Sequence, residues 1–480
     1  MIFSSITFLF YFLPLFLGLY YIFPRIRNWI LLVFSMLFYA WGEPVYIGLL
    51  VFSISMNYGF GRWIDFSRGR GDKWVLAGAV VANLAVLAFF KYGYFCVSNI
   101  ESLTGVHVKR GIDLKNLLLP LGISFYTFQA LSYLIDLYRQ HAPVEKNPFM
   151  LGNYIFMFPQ LIAGPIVRYA SIYAQLRERS HSLEKFCIGM RWFSIGLASK
   201  VLVANIVAVP ADEIFGLDPI RLSSGLAWFG LWCYTIQIYF DFMGYSLMAI
   251  GLGKMMGFEF PQNFNSPYSA KSVTDFWQRW HMSLTTWFKD YLYIPLGGNR
   301  RGNLRTYLNL IVVFLLCGFW HGASWNFMAW GAYHGCFLVM ERILQFSDSQ
   351  RRRGFGLFFN IYQLFVVMIG WVFFRSENMD KAFQYILGLS GFGESERLLG
   401  IRVELFLKPY PLLILFVATL LALVNVGRIF HICMNFVESA NARQRKVVEV
   451  VVGVGAVILL VLSVAALASG SYNPFIYFRF

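Results

Sequence analysis

Charged residues are scarce in this sequence. Asp, Glu, Lys and Arg make up 14% of the 480 residues, whereas 58% are hydrophobic and 19% are aromatic. A soluble protein of similar size usually carries about a quarter of its residues as charged ones, so an ordinary soluble domain is excluded. The apolar residues form long continuous runs and do not alternate as in a membrane β-barrel, which predicts an all-α polytopic membrane protein.

Signals for disulfides, metals and secretion are missing as well. The six cysteines include no CxxC pair and lie in or beside apolar runs, and no HExxH or other zinc spacing occurs. We therefore predict buried thiols and no metal cofactor. Residues 1–23 carry no basic segment and no small-residue cleavage site, which predicts a first membrane helix instead of a cleaved signal peptide.

The net positive charge of the chain, +15, is concentrated in short loops between apolar runs. In a soluble protein this charge would indicate a nucleic-acid partner, but basic loops of membrane proteins stay cytoplasmic, beside anionic lipid head groups. Residues 254–305 hold seven Lys or Arg against three acids, whereas residues 210–223 hold three acids against one Arg. We expect membrane lipid, and no nucleic acid, to face these charges.

Assigning the basic loops to the cytoplasm predicts twelve membrane crossings, with both termini extracytoplasmic. No internal repeat or low-complexity linker is visible, so we predict a single domain, residues 1–480. The twelve apolar runs are 1–23, 29–41, 44–61, 74–98, 116–138, 186–209, 224–253, 306–321, 323–345, 355–374, 409–427 and 447–469.

Short and broken segments predict an internal cavity. As helices, residues 29–41 and 306–321 would reach only about 20–24 Å at 1.5 Å per residue, less than the roughly 30 Å hydrocarbon core. Residues 148–167 are apolar but are interrupted by Pro159 and Pro165. Broken backbone at membrane depth is tolerated only inside protein or beside a wet cavity, so the middle of the chain is predicted to surround one.

Residues 273–294 predict an amphipathic helix at the membrane surface. Ser272 or Thr274 is its expected N-cap, Asp275 lies in its first turn, and Pro295 ends it. This helix carries a histidine and several charged side chains, so it is a candidate part of the functional site.

His321 is the strongest candidate for a functional residue. It lies in the run LLCGFWHGASWNFMAW, with no acid near it in sequence. An ionisable side chain at membrane depth is costly and usually marks a functional cavity, and imidazole suits general-base chemistry. Trp320, Ser324 and Asn326 predict a polar substrate pocket around it. The alternative is a histidine hydrogen-bonded between helices.

His281, in FWQRWHMS, is the second candidate. Arg279 and Lys289 flank it and would attract an anionic donor from the cytoplasm, whereas the simpler interpretation is a histidine at the membrane interface. No acid is placed to complete a Ser/His/Asp triad. Asp241 is the most prominent isolated acid in an apolar run, and we count it among the candidate substrate-binding residues.

Five sequence blocks, in order, resemble the membrane-bound O-acyltransferase (MBOAT) family, and more closely its bacterial branch of alginate O-acetyltransferases. They cover most of residues 120–335. The blocks are LGISFYTFQALSYLIDLYR (121–139), PQLIAGPIVRY (159–169), YFDFMGYSLMAIGLG (239–253), RWHMS with WFKDYLYIPLGGNR (275–300), and the WHG motif with its surroundings (317–335).

This resemblance implies a ring of tilted helices around a central funnel, with acyl transfer inside it. His321 would be the catalytic histidine and His281 the second family histidine, nearer the cytoplasmic mouth. The implied donor is acetyl-CoA or another acetyl thioester. The implied acceptor is an extracytoplasmic polysaccharide such as an alginate-like exopolysaccharide, cellulose or peptidoglycan, reached through an extracytoplasmic SGNH-type acetyltransferase.

The chain ends in an aromatic tail, SYNPFIYFRF (471–480). A free tail is usually polar, so this one is expected to be buried. One interpretation is an interfacial anchor. The other is that Tyr477 enters the funnel near His321, takes the acyl group as a phenyl ester and hands it to the partner, since a phenol is a better leaving group than an alkanol.

Two other function classes fit part of the sequence. A polar-solute transporter would also have intramembrane histidines and a cavity, but it usually brings inverted repeats or intramembrane acid–base pairs. An MBOAT enzyme that acylates a lipid or teichoic acid shares the motifs but needs a different opening for its acceptor.

Overall fold

The computed structural model describes residues 1–105, 118–346, 356–391, 404, 406–424, 442–470, 472–474 and 476. Within these ranges the chain folds into helices, and no β-strand occurs there. The α-helices, numbered along the chain, are α1 (Leu13–Ile22), α2 (Arg27–Gly42), α3 (Ile47–Phe66), α4 (Asp72–Leu87), α5 (Gly93–Thr104), α6 (Ile123–Tyr138), α7 (Pro148–Phe156), α8 (Phe158–Leu161), α9 (Tyr169–Arg177), α10 (Leu183–Ala198), α11 (Asn205–Phe215), α12 (Ser224–Met255), α13 (Val273–Trp277), α14 (Met282–Phe288), α15 (Asn303–His321), α16 (Trp325–Ile343), α17 (Gly356–Arg375), α18 (Met379–Leu389), α19 (Pro409–Leu423) and α20 (Ala442–Ala468).

The chain divides into two compact units. The first contains Met1–Met190 and Ala249–Pro261, and the second contains Arg191–Met248 and Gln262–Phe480. Both candidate histidines lie in the second unit. The long helices α10 and α12 each contribute residues to both.

Long apolar helices confirm a polytopic membrane protein. Across the described ranges, six helical segments are long and apolar enough to cross a bilayer, or seven if one bent pair counts as a single span. The other predicted crossings form helices that are shorter (α6 and α19) or less apolar (α12 and α16). The six segments are Pro44–Phe66, Asp72–Thr104, Leu183–Phe215, Asn303–His321, Gly356–Arg375 and Lys446–Ala468.

The bent pair consists of Phe8–Ile22 and Pro24–Gly42, which meet at an angle of 106°. Pro24 stands at the start of the second member, where its missing N–H and fixed φ end the first helix. Helix α2 has 16 residues, about 24 Å of helix, so the predicted short run at 29–41 is confirmed as a short helix.

The predicted break in residues 148–167 is also confirmed. Helix α7 ends at Phe156, Met157 is non-helical, and α8 lasts only four residues. Every residue from Leu151 to Val167 is buried. This broken backbone is therefore enclosed in protein, as the cost of unpaired peptide groups in lipid requires.

The short helix expected at residues 306–321 is a wrong prediction. Helix α15 begins at Asn303 and has 19 residues, about 28 Å of helix, close to the full hydrocarbon thickness. The first turn of α15 contains the polar residues Asn303 and Arg305. A search for apolar runs leaves these residues out, so it placed the start of the helix three residues too late.

Helices α15 and α16 pack closely because glycines face each other. A Cβ atom on Gly318 would lie 2.1 Å from the carbonyl oxygen of Phe327, and one on Gly331 would lie 2.3 Å from that of Phe314. No larger residue fits at either place without moving the backbone. This contact fixes the end of α15, where His321 is the last residue.

Candidate active site

The single amphipathic helix predicted over residues 273–294 is wrong. The segment forms two short helices, α13 and α14, followed by a π-helical turn, Lys289–Tyr293. The break is at His281, whose backbone is left-handed with φ +45° and ψ 52°. The predicted start is confirmed for Ser272, whose Oγ accepts a hydrogen bond from the Asp275 amide.

Asn263 holds the break at His281. Its side-chain Oδ1 lies 3.0 Å from Nδ1 of His281 and accepts hydrogen bonds from the amide and hydroxyl of Ser283, and its carbonyl accepts from the Met282 amide. A left-handed backbone conformation is uncommon for histidine, and it persists only where the surrounding contacts fix it. Because Oδ1 cannot donate, the His281 ring carries its proton on Nδ1.

The other ring nitrogen of His281, Nε2, is buried and has no hydrogen-bond partner in the described part of the chain. With the proton on Nδ1, Nε2 keeps its lone pair. His281 packs edge-on against Phe242 with ring centroids 4.7 Å apart. This histidine is thus a neutral base or hydrogen-bond acceptor in an aromatic setting.

His321 is enclosed by aromatic rings. Its imidazole contacts the rings of Trp320, Trp330 and Phe374, with centroids 4.9, 5.2 and 5.2 Å away. The Trp320 ring also lies 6.5 Å from that of His281, so it stands near both histidines. The polar pocket predicted around His321 is therefore walled largely by aromatic side chains.

Both histidines line one cavity of about 190 Å³. Its wall is mostly apolar, and Lys289, Thr285 and Tyr293 add polar groups. The remaining lining residues are Trp277, Trp280, Leu284, Phe288, Leu310, Val313, Phe314 and Cys317. A volume of this size holds several waters or a narrow ligand.

His321 also lines a second, smaller cavity of about 10 Å³, roughly the space of one water. Ile476 of the C-terminal segment lines it as well. The other lining residues are Ile238, Phe242, Trp280, Trp330, Trp371 and Phe374. His321 therefore borders the cavity shared with His281 and also the cavity that Ile476 lines.

The other predicted site residues lie in different places. Lys289 is exposed and lines the larger cavity, whereas Arg279 is bound through Nε to Asp275, 2.7 Å away. Asn326 donates a hydrogen bond to the carbonyl of Ser376, a contact that ties α16 to the end of α17. Ser324 is half-buried at the start of α16 and its hydroxyl makes no capping bond.

Asp241, predicted as an isolated acid, is paired. Its Oδ1 lies 2.7 Å from Nζ of Lys200, and both side chains are almost fully buried. Sequence reasoning missed Lys200. The available signal was a single lysine inside the apolar run 186–209, where a lone charge is costly.

Two predictions remain as they were. Tyr477 lies outside the described residues, although Ile476 immediately before it is described and buried. Within the described ranges, no three His, Cys, Asp or Glu side chains converge as metal ligands.

The buried thiols predicted from the sequence are found only in part. Cys233 and Cys317 are buried, whereas Cys96, Cys187 and Cys336 are exposed on the surface of the protein.

The fold and the site define a polytopic helical membrane protein with two buried histidines on a shared cavity. The chain belongs to the membrane-bound O-acyltransferase family, whose family profile matches residues 79–376. It is therefore an O-acyltransferase, and the resemblance drawn from its five sequence blocks is confirmed.

Relatives with assigned activities agree with this membership. The chain is 39% identical to a protein of Azotobacter vinelandii named "Probable alginate O-acetylase AlgI", with 100% of both chains aligned. It is 38% identical to the peptidoglycan O-acetyltransferase of Helicobacter pylori, over 82% of this chain and 80% of that protein. It is 28% identical to the teichoic acid D-alanyltransferase of Bacillus subtilis, over 61% of this chain and 74% of that protein.

Proposed function

We propose that this enzyme moves an acetyl group from a cytoplasmic thioester across the inner membrane for O-acetylation of an extracytoplasmic polysaccharide. The observation that carries the proposal is the single cavity lined by His281 and His321. The most similar relatives named above act on alginate and peptidoglycan, so an alginate-like exopolysaccharide, cellulose or peptidoglycan is the acceptor class that we favour.

The larger cavity suits the acyl end of a thioester such as acetyl-CoA. Its wall is apolar and aromatic, which favours an uncharged, narrow chain over a sugar. Lys289 offers a positive charge at the same cavity, which complements the phosphate groups that such a donor carries. We assign no metal to this chemistry.

His321 acts as the general base in this proposal. It removes the proton from an acceptor hydroxyl, whose oxygen then forms a bond to the acetyl carbon. The carbon–sulfur bond breaks, and the thiol leaves with the proton taken by the imidazole. His281 lies across the same cavity, where its Nε2 accepts a hydrogen bond from the donor or from a water.

Tyr477 is the first acceptor in this scheme. Ile476, the residue before it, lines the small cavity beside His321, which supports a tail that ends within the site. The phenol oxygen takes the acetyl group and forms a phenyl ester. A hydroxyl of an extracytoplasmic SGNH-type acetyltransferase then bonds to the acetyl carbon, the bond to the phenol oxygen breaks, and the Tyr477 phenol regains its proton. That partner completes the transfer to the polysaccharide.

The membrane arrangement that goes with this function is one domain of about twelve crossing or re-entrant helices around a funnel, with both termini extracytoplasmic. The bent pair α1 and α2 and the buried break after α7 support a thinned centre. The family membership gives no support to a polar-solute transporter, the alternative drawn from the sequence.

The acyl group and its acceptor are tested in the source bacterium. Deletion of the gene is expected to remove base-labile acetate from secreted or wall glycans, and the wild-type gene is expected to restore it. Loss of ester-linked D-alanine with unchanged acetate would overturn the acetyl proposal. It would favour the teichoic acid alternative, which the D-alanyltransferase relative suggests.

Asn263→Ala tests the geometry at His281. The variant loses Oδ1 of Asn263, which accepts hydrogen bonds from Nδ1 of His281 and from the amide and hydroxyl of Ser283. We expect acetyl transfer to fall by about 10²-fold, since a shift of about 1 Å in a reacting group costs that much. The measurement is the initial rate of acetyl transfer in isolated membranes at equal protein level.

Ser283→Ala is the matched control for Asn263→Ala. It removes the hydroxyl bond to Asn263 but leaves the His281 contact in place. We expect less than about a threefold change, in line with the roughly 1 kcal/mol that one neutral hydrogen bond is worth. Equal losses in the two variants would contradict a specific role for Asn263 at His281.

A further inference from the structure

Residues 472–474 and 476, the described part of the C-terminal segment, are held by polar contacts within the second unit. The hydroxyl of Tyr472 donates to Oδ2 of Asp212, 2.8 Å away. One residue on, Oδ1 of Asn473 accepts a hydrogen bond from Nδ2 of Asn205, 3.1 Å away. These two contacts lead the segment from the exposed Tyr472 toward the buried Ile476.

The deepest contacts of the segment are made by Lys200 and Asp241. The Nζ group of Lys200 donates to the carbonyl oxygen of Pro474. The amide of Ile476 donates to Oδ2 of Asp241, 3.0 Å away. The two members of one ion pair therefore bind the backbone of the segment on either side of residue 475.

Lys200 joins the ion pair, a neighbouring side chain and the C-terminal segment. Its Nζ lies 2.7 Å from Asp241 Oδ1, donates to Oδ1 of Asn205 at 2.9 Å and donates to Pro474. An ammonium group donates hydrogen bonds and accepts none, so the carbonyl of Pro474 and Oδ1 of Asn205 are suitable partners for it.

Lys200 lies in a π-helical turn, Ser199–Ala204, that continues α10, and close packing of α10 against α12 brings the two charges together. A Cβ atom on Gly196 would lie 2.5 Å from the carbonyl oxygen of Gly244, and one on Gly244 would lie 2.7 Å from that of Gly196. Gly196 is one helical turn before Lys200, and Gly244 is about one turn after Asp241. The helices therefore touch directly beside the ion pair.

A buried ion pair is weak support for stability, because removing two charges from water costs about as much as their attraction returns. Well-packed apolar residues would join α10 and α12 at least as well. What the charges add is directed hydrogen bonding to the carbonyl of Pro474 and the amide of Ile476. Their contribution is therefore to the position of the C-terminal segment.

We infer that Lys200, Asp241 and Asn205 form a clamp that fixes the C-terminal segment of the chain beside His321. Ile476, held by Asp241, lines the small cavity that His321 also lines. The purpose of the clamp, placing Tyr477 for acetyl transfer, rests on the proposed function. Lys200 and Asp241 are thus positioning residues for the reaction.

Trimming of the full-length protein by a carboxypeptidase tests the clamp without relying on activity. Purified protein is digested and its intact mass is followed with time. In the wild type we expect the residues after Pro474 to be protected. In Lys200→Met and Asp241→Asn we expect these residues to be removed at least about tenfold faster, because the loss of a hydrogen bond to a charged group lowers the bound fraction of the segment by that factor or more.

Lys381→Met is the matched control, since it breaks an exposed ion pair with Glu377 in the same unit. Its tail is expected to stay protected. Single variants at the clamp leave one buried charge without its partner and can lower the amount of folded protein. The double variant Lys200→Met/Asp241→Leu removes both charges and is expected to fold normally and still lose protection.

Acetyl transfer measured on the same proteins separates the clamp from the proposed function. Wild-type protection of the tail in the double variant overturns the clamp, whatever its activity. Lost protection with unchanged transfer supports the clamp and overturns the tail's role in the reaction. His321→Ala leaves the clamp intact, so it is expected to keep a protected tail while losing transfer.

Discussion

Replacement of His321 by Ala or Gln is expected to lower acetyl transfer by about 10²–10⁴-fold, the usual contribution of a general base. The protein is expected to insert in the membrane at the normal level, because neighbouring aromatic rings and the glycine contacts of α15 and α16 hold this region. The measurement is the initial rate of acetyl transfer in membranes, together with base-labile acetate on the glycans of living cells.

His334→Gln is the matched control for His321→Gln. His334 lies in α16 and is fully buried. It packs against the rings of Trp277, Trp330 and Tyr333, and it lines neither of the two cavities that His321 lines. We expect this change to reduce the amount of folded protein but to leave the rate per folded molecule within about threefold, since it touches no reacting group. Wild-type acetate with His321→Ala would contradict the assignment of His321 as the base.

The two histidines differ in a way that favours His321 for the proton transfer. His281 is held on one side by Asn263 and lines only the larger of the two cavities. His321 lines both cavities, so its ring borders the space that we propose for the donor and the space that Ile476 also borders. A general base has to be within reach of the acceptor proton, and of the two histidines only His321 lines the cavity that Ile476, the residue before the proposed acceptor Tyr477, also lines.

The sequence was sufficient to predict the features that arise from the free-energy cost of placing polar groups in lipid. A histidine without an acidic neighbour in an apolar run, and prolines within an apolar segment, are expensive in lipid and so predict a cavity and an enclosed break. His321 borders two cavities, and residues 151–167 are buried. Local sequence patterns sufficed because the cost arises at the residue itself.

Contacts between distant residues could not be predicted in the same way. The break at His281 depends on Asn263, which lies in an irregular stretch well before α14. Asn326 was expected at the substrate pocket, yet its side chain donates a hydrogen bond to the carbonyl of Ser376, just after the end of α17. Periodicity describes one helix at a time, so it indicates a polar side chain but not its partner.

Lys200 and Asp241 show the same limit in their charges. Asp241 is the only charged residue of the apolar run 224–253, and Lys200 shares the run 186–209 only with Arg191 near its start. Each of these two buried charges alone indicates a functional cavity. The structure pairs them with each other and with the C-terminal segment. An intramembrane acid–base pair is a feature typical of transporters. Here the pair Lys200–Asp241 binds the backbone of Pro474 and Ile476.

Tyr477→Phe is expected to abolish acetylation of the polysaccharide while leaving the protein level unchanged. The change removes one oxygen atom, and in the proposed reaction that oxygen is the atom that bonds to the acetyl carbon. The measurement is base-labile acetate on the glycan, supported by mass spectrometry of the C-terminal peptide. Without the partner transferase, the wild-type peptide is expected to gain one acetyl group and the variant none.

Tyr472→Phe is the matched control, because it removes the same atom from a tyrosine five positions earlier in the same segment. Tyr472 is exposed, and its hydroxyl bonds to Asp212, which is also paired with Arg375. Loss of one exposed hydrogen bond costs little, so acetylation is expected to stay within about twofold of the wild type. If Tyr477→Phe transferred acetyl at the wild-type rate, the phenyl ester would be wrong. The acceptor hydroxyl would then have to come from the partner or the glycan, and His321 would deprotonate it directly.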